Sequence, residues 1–232
     1  MDLREKLPLE IRSAVQRRER GDLKSARKIF ENVLRKAEEL KKSPDIDDQD
    51  AYIGIMGEWI IQLRHEGKRK LEEALDVAIS VYEYNQKHQR DNPNALRGVS
   101  NTNIDLENYE IATGYLKETI ALLPESDSAR KGEAMSHLAK CLFRTGKVDN
   151  AEKVIEESLR LIDQNTAGMK PMFIAVWKSH ALKVKALILN SEGRHKEAML
   201  LAKRSLAFAQ KFRLAIRTRE AEEAIRSING ST

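Results

Sequence analysis

Three stretches of the sequence share one pattern: GDLKSARKIF at 21–30, GKVDNAEKVI at 146–155 and GRHKEAMLLA at 193–202. Each begins with a glycine, has an alanine five residues later, and has a second apolar residue four positions further on. Glycine suits the residue just past a helix end, where a positive φ is needed, and residues four apart share one helix face. The pattern therefore predicts a turn followed by a helix whose alanine lies close to a neighbouring helix.

The rest of the chain repeats this arrangement. Alanines in the same phase occur at Ala74 and Ala112, which gives five such helices. Proline is favoured in the first turn of a helix, so we expect each proline to open a helix and each glycine to close one. The helix breakers follow the order Pro8, Gly21, Pro44, Gly67, Pro93, Asn108 in a slot without glycine, Pro124, Gly146, Pro171 and Gly193.

The breakers predict five helical hairpins, at about 8–42, 48–90, 92–122, 126–162 and 170–211, and a last helix at 213–228. The first helices are expected near 8–20, 48–66, 92–104, 126–145 and 170–192. The second helices are expected near 22–42, 69–90, 107–122, 147–162 and 194–211. Eleven helices follow.

Small residues on the first helices complete the seam of each hairpin, at Ala14, Ser100, Ala139 and Ala186. Phe143, Trp59, Trp177 and the single cysteine, Cys141, fit the apolar phase, so we expect them to pack in the core. Gly54 and Gly57 lie inside a predicted helix and each costs roughly 1 kcal/mol relative to alanine. We interpret these two glycines as positions of close backbone packing.

The hairpins resemble the tetratricopeptide repeat. ARKIF at 26–30 is similar to its Ala-x3-Phe core, and YEIATGYLKETIALLP at 109–124 is similar to a complete second helix with its closing proline. The likeness covers about residues 8–212, although the alanine spacings are 48, 38, 39 and 47 residues instead of 34. The resemblance implies an all-α fold, a right-handed superhelical solenoid forming one domain over 1–232. Its first helices would line a concave groove, and the last helix would cap the stack.

Composition excludes several classes of protein. With 11 glycines and 5 prolines in 232 residues, the chain has too few turn residues for a fold of many short strands. No apolar stretch approaches the ~20 residues that cross a bilayer, and the N-terminus lacks an apolar signal core, so we expect a cytoplasmic protein without membrane contact. One cysteine cannot form an intramolecular disulfide.

Catalytic and metal-binding patterns are missing from the sequence. The five histidines include no pair at i, i+4 spacing around a carboxylate, and the cysteine has no cysteine partner for zinc. Adjacent carboxylates on a helix point in different directions and suit a solvated face better than an acid–base pair. We therefore expect no enzyme activity, no catalytic residues, no metal and no cofactor.

The repeat phase places a row of polar residues in the predicted groove. Arg97 and Asn101, at i, i+4, resemble the Lys-x3-Asn half of the carboxylate clamp of some tetratricopeptide cochaperones, and such a pair can hold a carboxylate by charge-assisted hydrogen bonds. The peptide-binding candidates are Arg97, Asn101, His137, Lys140, Arg144, Lys183 and Asn190, with Asn94, Ser136 and His180 in the same rows.

These features favour a noncatalytic adaptor or scaffold that binds a protein or an acidic peptide in its groove. The alternative is binding of nucleic acid or another polyanion, because residues 166–232 carry a net charge of +8. The basic residues of that alternative site are Lys203, Arg204, Lys211, Arg213, Arg217 and Arg219. Self-association through the open ends of the stack is left open.

Overall fold

A computed structural model describes residues 3–88, 91–164 and 169–230 of the chain. Across those residues we find eleven α-helices, two short 3-10 turns at Lys68–Lys70 and Glu125–Asp127, and no strand. The helices are α1 (Leu3–Glu19), α2 (Leu23–Lys42), α3 (Ile46–His65), α4 (Leu71–Lys87), α5 (Pro93–Asp105), α6 (Tyr109–Leu122), α7 (Ser128–Arg144), α8 (Val148–Gln164), α9 (Pro171–Ser191), α10 (His195–Lys211) and α11 (Ala215–Asn229). The predicted all-α fold is confirmed.

The helices form two compact units, Met1–Leu122 with α1 to α6 and Leu123–Thr232 with α7 to α11. In each unit, consecutive helices pack against each other as hairpins. The odd-numbered helices also pack side by side: α3 packs on α1 and α5, and α9 packs on α7 and α11. We call the layer made by α1, α3 and α5, or by α7, α9 and α11, the first-helix face of its unit. The prediction of one repeat domain over the whole chain stays a prediction.

The predicted helix ends agree with the structure to within two residues, except at the start of α1 and at the end of α4, which is predicted at 90 and lies at Lys87. Pro8 lies inside α1, which begins at Leu3, so the prediction that this proline opens a helix is wrong. The reason is tertiary, because Leu7 is fully buried and anchors the turn that precedes the proline. Residues 89 and 90, at the end of the helix predicted at 69–90, lie outside the described residues.

The hairpin turns share one hydrogen-bond pattern. Gly21, Gly146 and Gly193 have φ values of 87°, 78° and 78°, and Gly67 also has a positive φ, as predicted. After each of the first three glycines, the next N–H donates to the carbonyl five residues back, as in Lys147 N–H to Leu142 O at 2.8 Å. This bond closes the helix end in the manner of a Schellman motif.

Two turns of this kind use residues other than glycine. In the turn between α5 and α6, the residue with the positive φ is Glu107, at 63°, and not Asn108. Asn108 takes the next position of the motif, and its N–H donates to Asn103 O at 2.9 Å. Placing the turn at Asn108 is therefore wrong by one residue. The turn between α10 and α11 repeats the pattern at Arg213, with a φ of 54°.

The predicted seam between hairpin helices is buried. All five second-helix alanines are 0% exposed, and so are Ala14, Ser100, Ala139 and Ala186 on the first helices. Cys141, Trp59 and Trp177 are buried, and Phe143 packs against the core of unit 2, as expected. Gly132 is a further seam position, since a Cβ there would lie 2.7 Å from Ser158 O on α8.

Gly54 and Gly57 do not have the expected packing role. A Cβ at either position would meet nothing within 4 Å, so no neighbouring backbone requires a glycine there. Both positions are partly exposed on α3.

None of the described helices has the length and hydrophobicity of a membrane-spanning helix.

Candidate peptide-binding face

Polar side chains from three helices meet on the first-helix face of unit 2. Lys183 on α9 donates from Nζ to Glu220 Oε2 on α11 at 2.6 Å. On α7, His137 Nε2 lies 3.3 Å from Glu133 Oε1, one helical turn earlier. Two of the sequence candidates, His137 and Lys183, are therefore held in place by carboxylates.

Arg217 joins this cluster from α11. Its Nη1 donates to both carboxylate oxygens of Glu220, at 2.8 and 2.9 Å, so Glu220 accepts from Lys183 and Arg217 together. The side chains of Lys183 and Arg217 are 14% and 16% exposed. Sequence reasoning counted Arg217 in the C-terminal basic run and interpreted α11 as a cap, so it assigned neither Arg217 nor Glu220 to this face. The signal that could have found them is the position of α11, which follows a second helix and therefore continues the series of first helices.

His137 and His180 form a stacked pair at the centre of the cluster. Their ring centroids are 4.4 Å apart and the ring planes differ by 29°. His180 is buried, and neither of its ring nitrogens has a hydrogen-bond partner among the described residues. Burial is the main cause that lowers the pKa of His180 well below its ordinary range, and the neighbouring His137, Lys183, Arg217 and Lys140 lower it further.

Positive charge dominates the surroundings of His180. Lys140, Lys183 and Arg217 each lower its pKa, and Glu220 accepts from two of these three cations. Partial burial strengthens the field of such charges relative to bulk water. The face is therefore suited to a negatively charged group.

The other candidates of unit 2 lie in different environments. Arg144 is exposed near the end of α7, and Asn190 Oδ1 lies 2.8 Å from His195 Nδ1 beside the α9–α10 turn. Ser136 is fully buried and donates to Glu133 O at 2.6 Å within its own helix. The prediction that Ser136 lines an open groove is wrong, because its position on α7 faces the core.

Unit 1 presents its own first-helix face. Arg97 and Asn94 on α5 are partly exposed, whereas Asn101 is only 3% exposed. In the same layer, Arg64 on α3 donates to Asp105 Oδ2 on α5 at 2.7 Å. The Arg97 and Asn101 pair thus has one accessible member, and its role in ligand binding stays a prediction.

The C-terminal basic run does not form one surface. Arg217 is mostly buried and is paired with Glu220, whereas the other five residues of the run are exposed: Lys203, Arg204, Lys211, Arg213 and Arg219. The two aromatic residues of this region, Phe208 and Phe212, line an apolar cleft of about 210 Å³ with Met169, Pro171, Ile174 and Ala175. They are packed with apolar groups, as their phase predicts.

Comparisons with solved structures find the same fold. The crystal structure of a Podosopora anserina putative kinesin light chain with nearly identical TPR-like repeats has a TM-score of 0.58 and 16% identity, over 91% of this chain and 98% of that chain. BtubC (BKLC) from P. vanneervenii has a TM-score of 0.59 and 19% identity, over 88% and 78%. PilF from Pseudomonas aeruginosa has a TM-score of 0.51 and 15% identity, over 98% and 90%. No protein-family model and no curated protein sequence matches this chain.

The chain has the fold of a TPR-like repeat protein, as the sequence predicted. Within the described residues, no group of three or more histidine, cysteine or carboxylate side chains is arranged to hold a metal ion.

Proposed function

We propose that this protein is a noncatalytic, cytoplasmic interaction module that binds an acidic segment of a partner protein on the first-helix face of unit 2. The observation that carries this proposal is the excess of positive charge around Glu220, whose carboxylate is shared by Lys183 and Arg217. A carboxylate of the partner would add charge-assisted hydrogen bonds to these cations and to Lys140. The TPR-like fold supports a protein partner.

The test measures binding of a fluorescent hexa-aspartate peptide to the full chain by anisotropy. We expect the double variant Lys140→Gln/Lys183→Gln to bind at least about tenfold more weakly, a loss of about 1.4 kcal/mol. The matched control is Lys203→Gln/Arg204→Gln, which removes the same charge from exposed positions on α10. Equal weakening by both double variants would contradict a defined site, and circular dichroism would check that both stay folded.

Arg97 on unit 1 is proposed as a second, independent contact for an acidic ligand. It is partly exposed on α5, one helical turn before Asn101. We expect Arg97→Gln to weaken peptide binding, whereas Lys87→Gln, at an exposed position of α4, should leave it unchanged. Unchanged binding by the Arg97 variant would remove this contact from the proposal.

Nucleic-acid binding through the exposed part of the basic run is the second candidate function. The exposed residues that favour it are Lys203, Arg204, Lys211, Arg213 and Arg219. It requires a steep salt dependence from counterion release. The same control variant tests it, because Lys203→Gln/Arg204→Gln should then weaken binding of a labelled single-stranded oligonucleotide. No oligonucleotide binding at ~50 mM salt would eliminate this alternative.

A further inference from the structure

The buried imidazole of His180 is a costly residue for a helix core. It is 6% exposed, and both ring nitrogens lack hydrogen-bond partners among the described residues. A buried polar group without a partner destabilises the folded state, and such groups are found where a site has a role beyond stability. Packing alone therefore gives no reason for histidine at this position.

The charged surroundings of His180 come from the helices that pack against α9. From α7, His137 and Lys140 act on it, from α11 Arg217 does, and Lys183 does so from its own helix. Glu133 pairs with His137, and Glu220 accepts from Lys183 and Arg217. On α8, Glu156 and Asp163 accept from Lys185 and Lys178 at exposed positions of the α8–α9 contact. On α10, Ser205 lies at the contact with α9 and donates to Ser179 O at 2.8 Å.

Two effects oppose a positive charge on His180. Charging both stacked rings would place like charges 4.4 Å apart, and the three cations of the face add to this repulsion. An anion bound to Lys140, Lys183 and Arg217 would reduce the field that opposes protonation, without any change in the stacking.

We propose that the His137–His180 pair couples ligand binding to proton uptake, so that an acidic segment on the first-helix face of unit 2 binds more tightly as the pH falls. The inference rests on the proposed function and adds its regulation. The proton comes from the buffer, and the ligand carboxylates stay ionised. His137, which is 14% exposed and paired with Glu133, links the buried ring to the surface.

Isothermal titration calorimetry of the full chain with hexa-aspartate tests this coupling. Titrations at pH 7.5 and 6.0, each in two buffers of different ionisation enthalpy, report both the affinity and the number of protons taken up. We expect binding to tighten about three- to tenfold at pH 6.0, with uptake of up to about one proton per peptide.

Two variants separate the coupling from binding itself. His180→Leu removes the buried imidazole, and its affinity should change less than about twofold between the two pH values. His88→Gln replaces an exposed histidine at the C-terminal end of α4 and should behave as the wild type does.

Equal affinity at both pH values without proton uptake would overturn this inference and leave the proposed function standing. Proton uptake that persists in His180→Leu would also overturn it. Absence of peptide binding at both pH values would overturn the proposed function and the coupling together.

Discussion

His180 shows how one side chain can oppose the stability of the fold that contains it. Leucine has a similar volume and no polar side-chain atoms, so it would remove two buried nitrogens that lack partners among the described residues. The pKa of His180 is lowered, first by burial and then by His137 and the cations around it. At position 180, stability therefore favours leucine, whereas the proposed role of the site requires histidine.

We predict that His180→Leu raises the free energy of unfolding by about 1 kcal/mol at pH 7.5, as measured by urea denaturation. The gain should grow at lower pH. Below about pH 6.5 the unfolded chain binds a proton at His180 while the folded protein keeps the ring neutral, so the wild type loses stability as the pH falls toward the lowered pKa. A gain that is the same at pH 7.5 and pH 5.0 would contradict this assignment.

Arg213 also destabilises the folded state, in this case through its backbone conformation. Its φ of 54° lies in the left-handed region, which costs a residue with a Cβ roughly 1–2 kcal/mol. We predict that Arg213→Gly stabilises the protein by about 0.5 kcal/mol, a smaller gain because glycine also gains entropy in the unfolded chain. The reverse change, Gly146→Ala, should destabilise it, and urea denaturation of both variants compares them directly.

At the scale of elements, hairpins depend on close helix contacts that one residue can block. The α7–α8 contact is the clearest case, because Ser158 Oγ donates to Gly132 O at 2.6 Å and the two backbones almost touch there. Alanines serve the same purpose at the other seams, where they are fully buried. Seam residues are therefore restricted by distance more than by helix propensity.

We predict that Gly132→Ala destabilises unit 2 by about 1–3 kcal/mol, although alanine is the better helix former. Its Cβ would lie 2.7 Å from a backbone oxygen and 2.9 Å from a backbone nitrogen of α8, which cannot move as a flexible side chain would. The matched control is Gly114→Ala on α6, where an added Cβ meets nothing within 4 Å. This substitution should stabilise the protein by up to about 1 kcal/mol. Thermal unfolding monitored by circular dichroism measures both, and two changes of the same sign would contradict the close contact.

At the scale of the whole molecule, charge is divided unequally between the units. Residues 123–232 carry 20 Lys and Arg against 13 Asp and Glu, whereas residues 1–122 carry 21 against 23. The positive charge that gives the chain its net +5 therefore belongs to unit 2. An acidic ligand should be attracted first to that half of the chain.

We predict that the fragment 123–232 binds hexa-aspartate within about threefold of the full chain, because every proposed contact except Arg97 lies in it. A change of about threefold corresponds to well under ~1.4 kcal/mol. The fragment 1–122 should bind much more weakly. Anisotropy of the labelled peptide measures both, and a folded 123–232 fragment without affinity would place the site elsewhere.

Sequence alone determined the hairpins, because the signals involved are local. Glycine at a positive φ and alanine at a helix seam act through their own backbone and volume, so Gly146 and Ala151 could be interpreted without knowledge of the fold. The local rules failed at two places. Burial of Leu7 extended α1 to residues before Pro8, and the backbone hydrogen bond from Asn108 to Asn103 O placed the positive φ at Glu107.

The proposed binding face is a product of tertiary structure. His137, Lys183 and Glu220 lie on three helices, and their separations in the chain give no measure of their distances in space. Sequence periodicity placed Lys183 in the predicted groove and His137 one step to its side. It could not show that Glu220 joins Lys183 to Arg217, or that His180 lies buried within this cluster. Helix phase fixes the direction of a side chain, whereas the packing of α7, α9 and α11 fixes which charges meet.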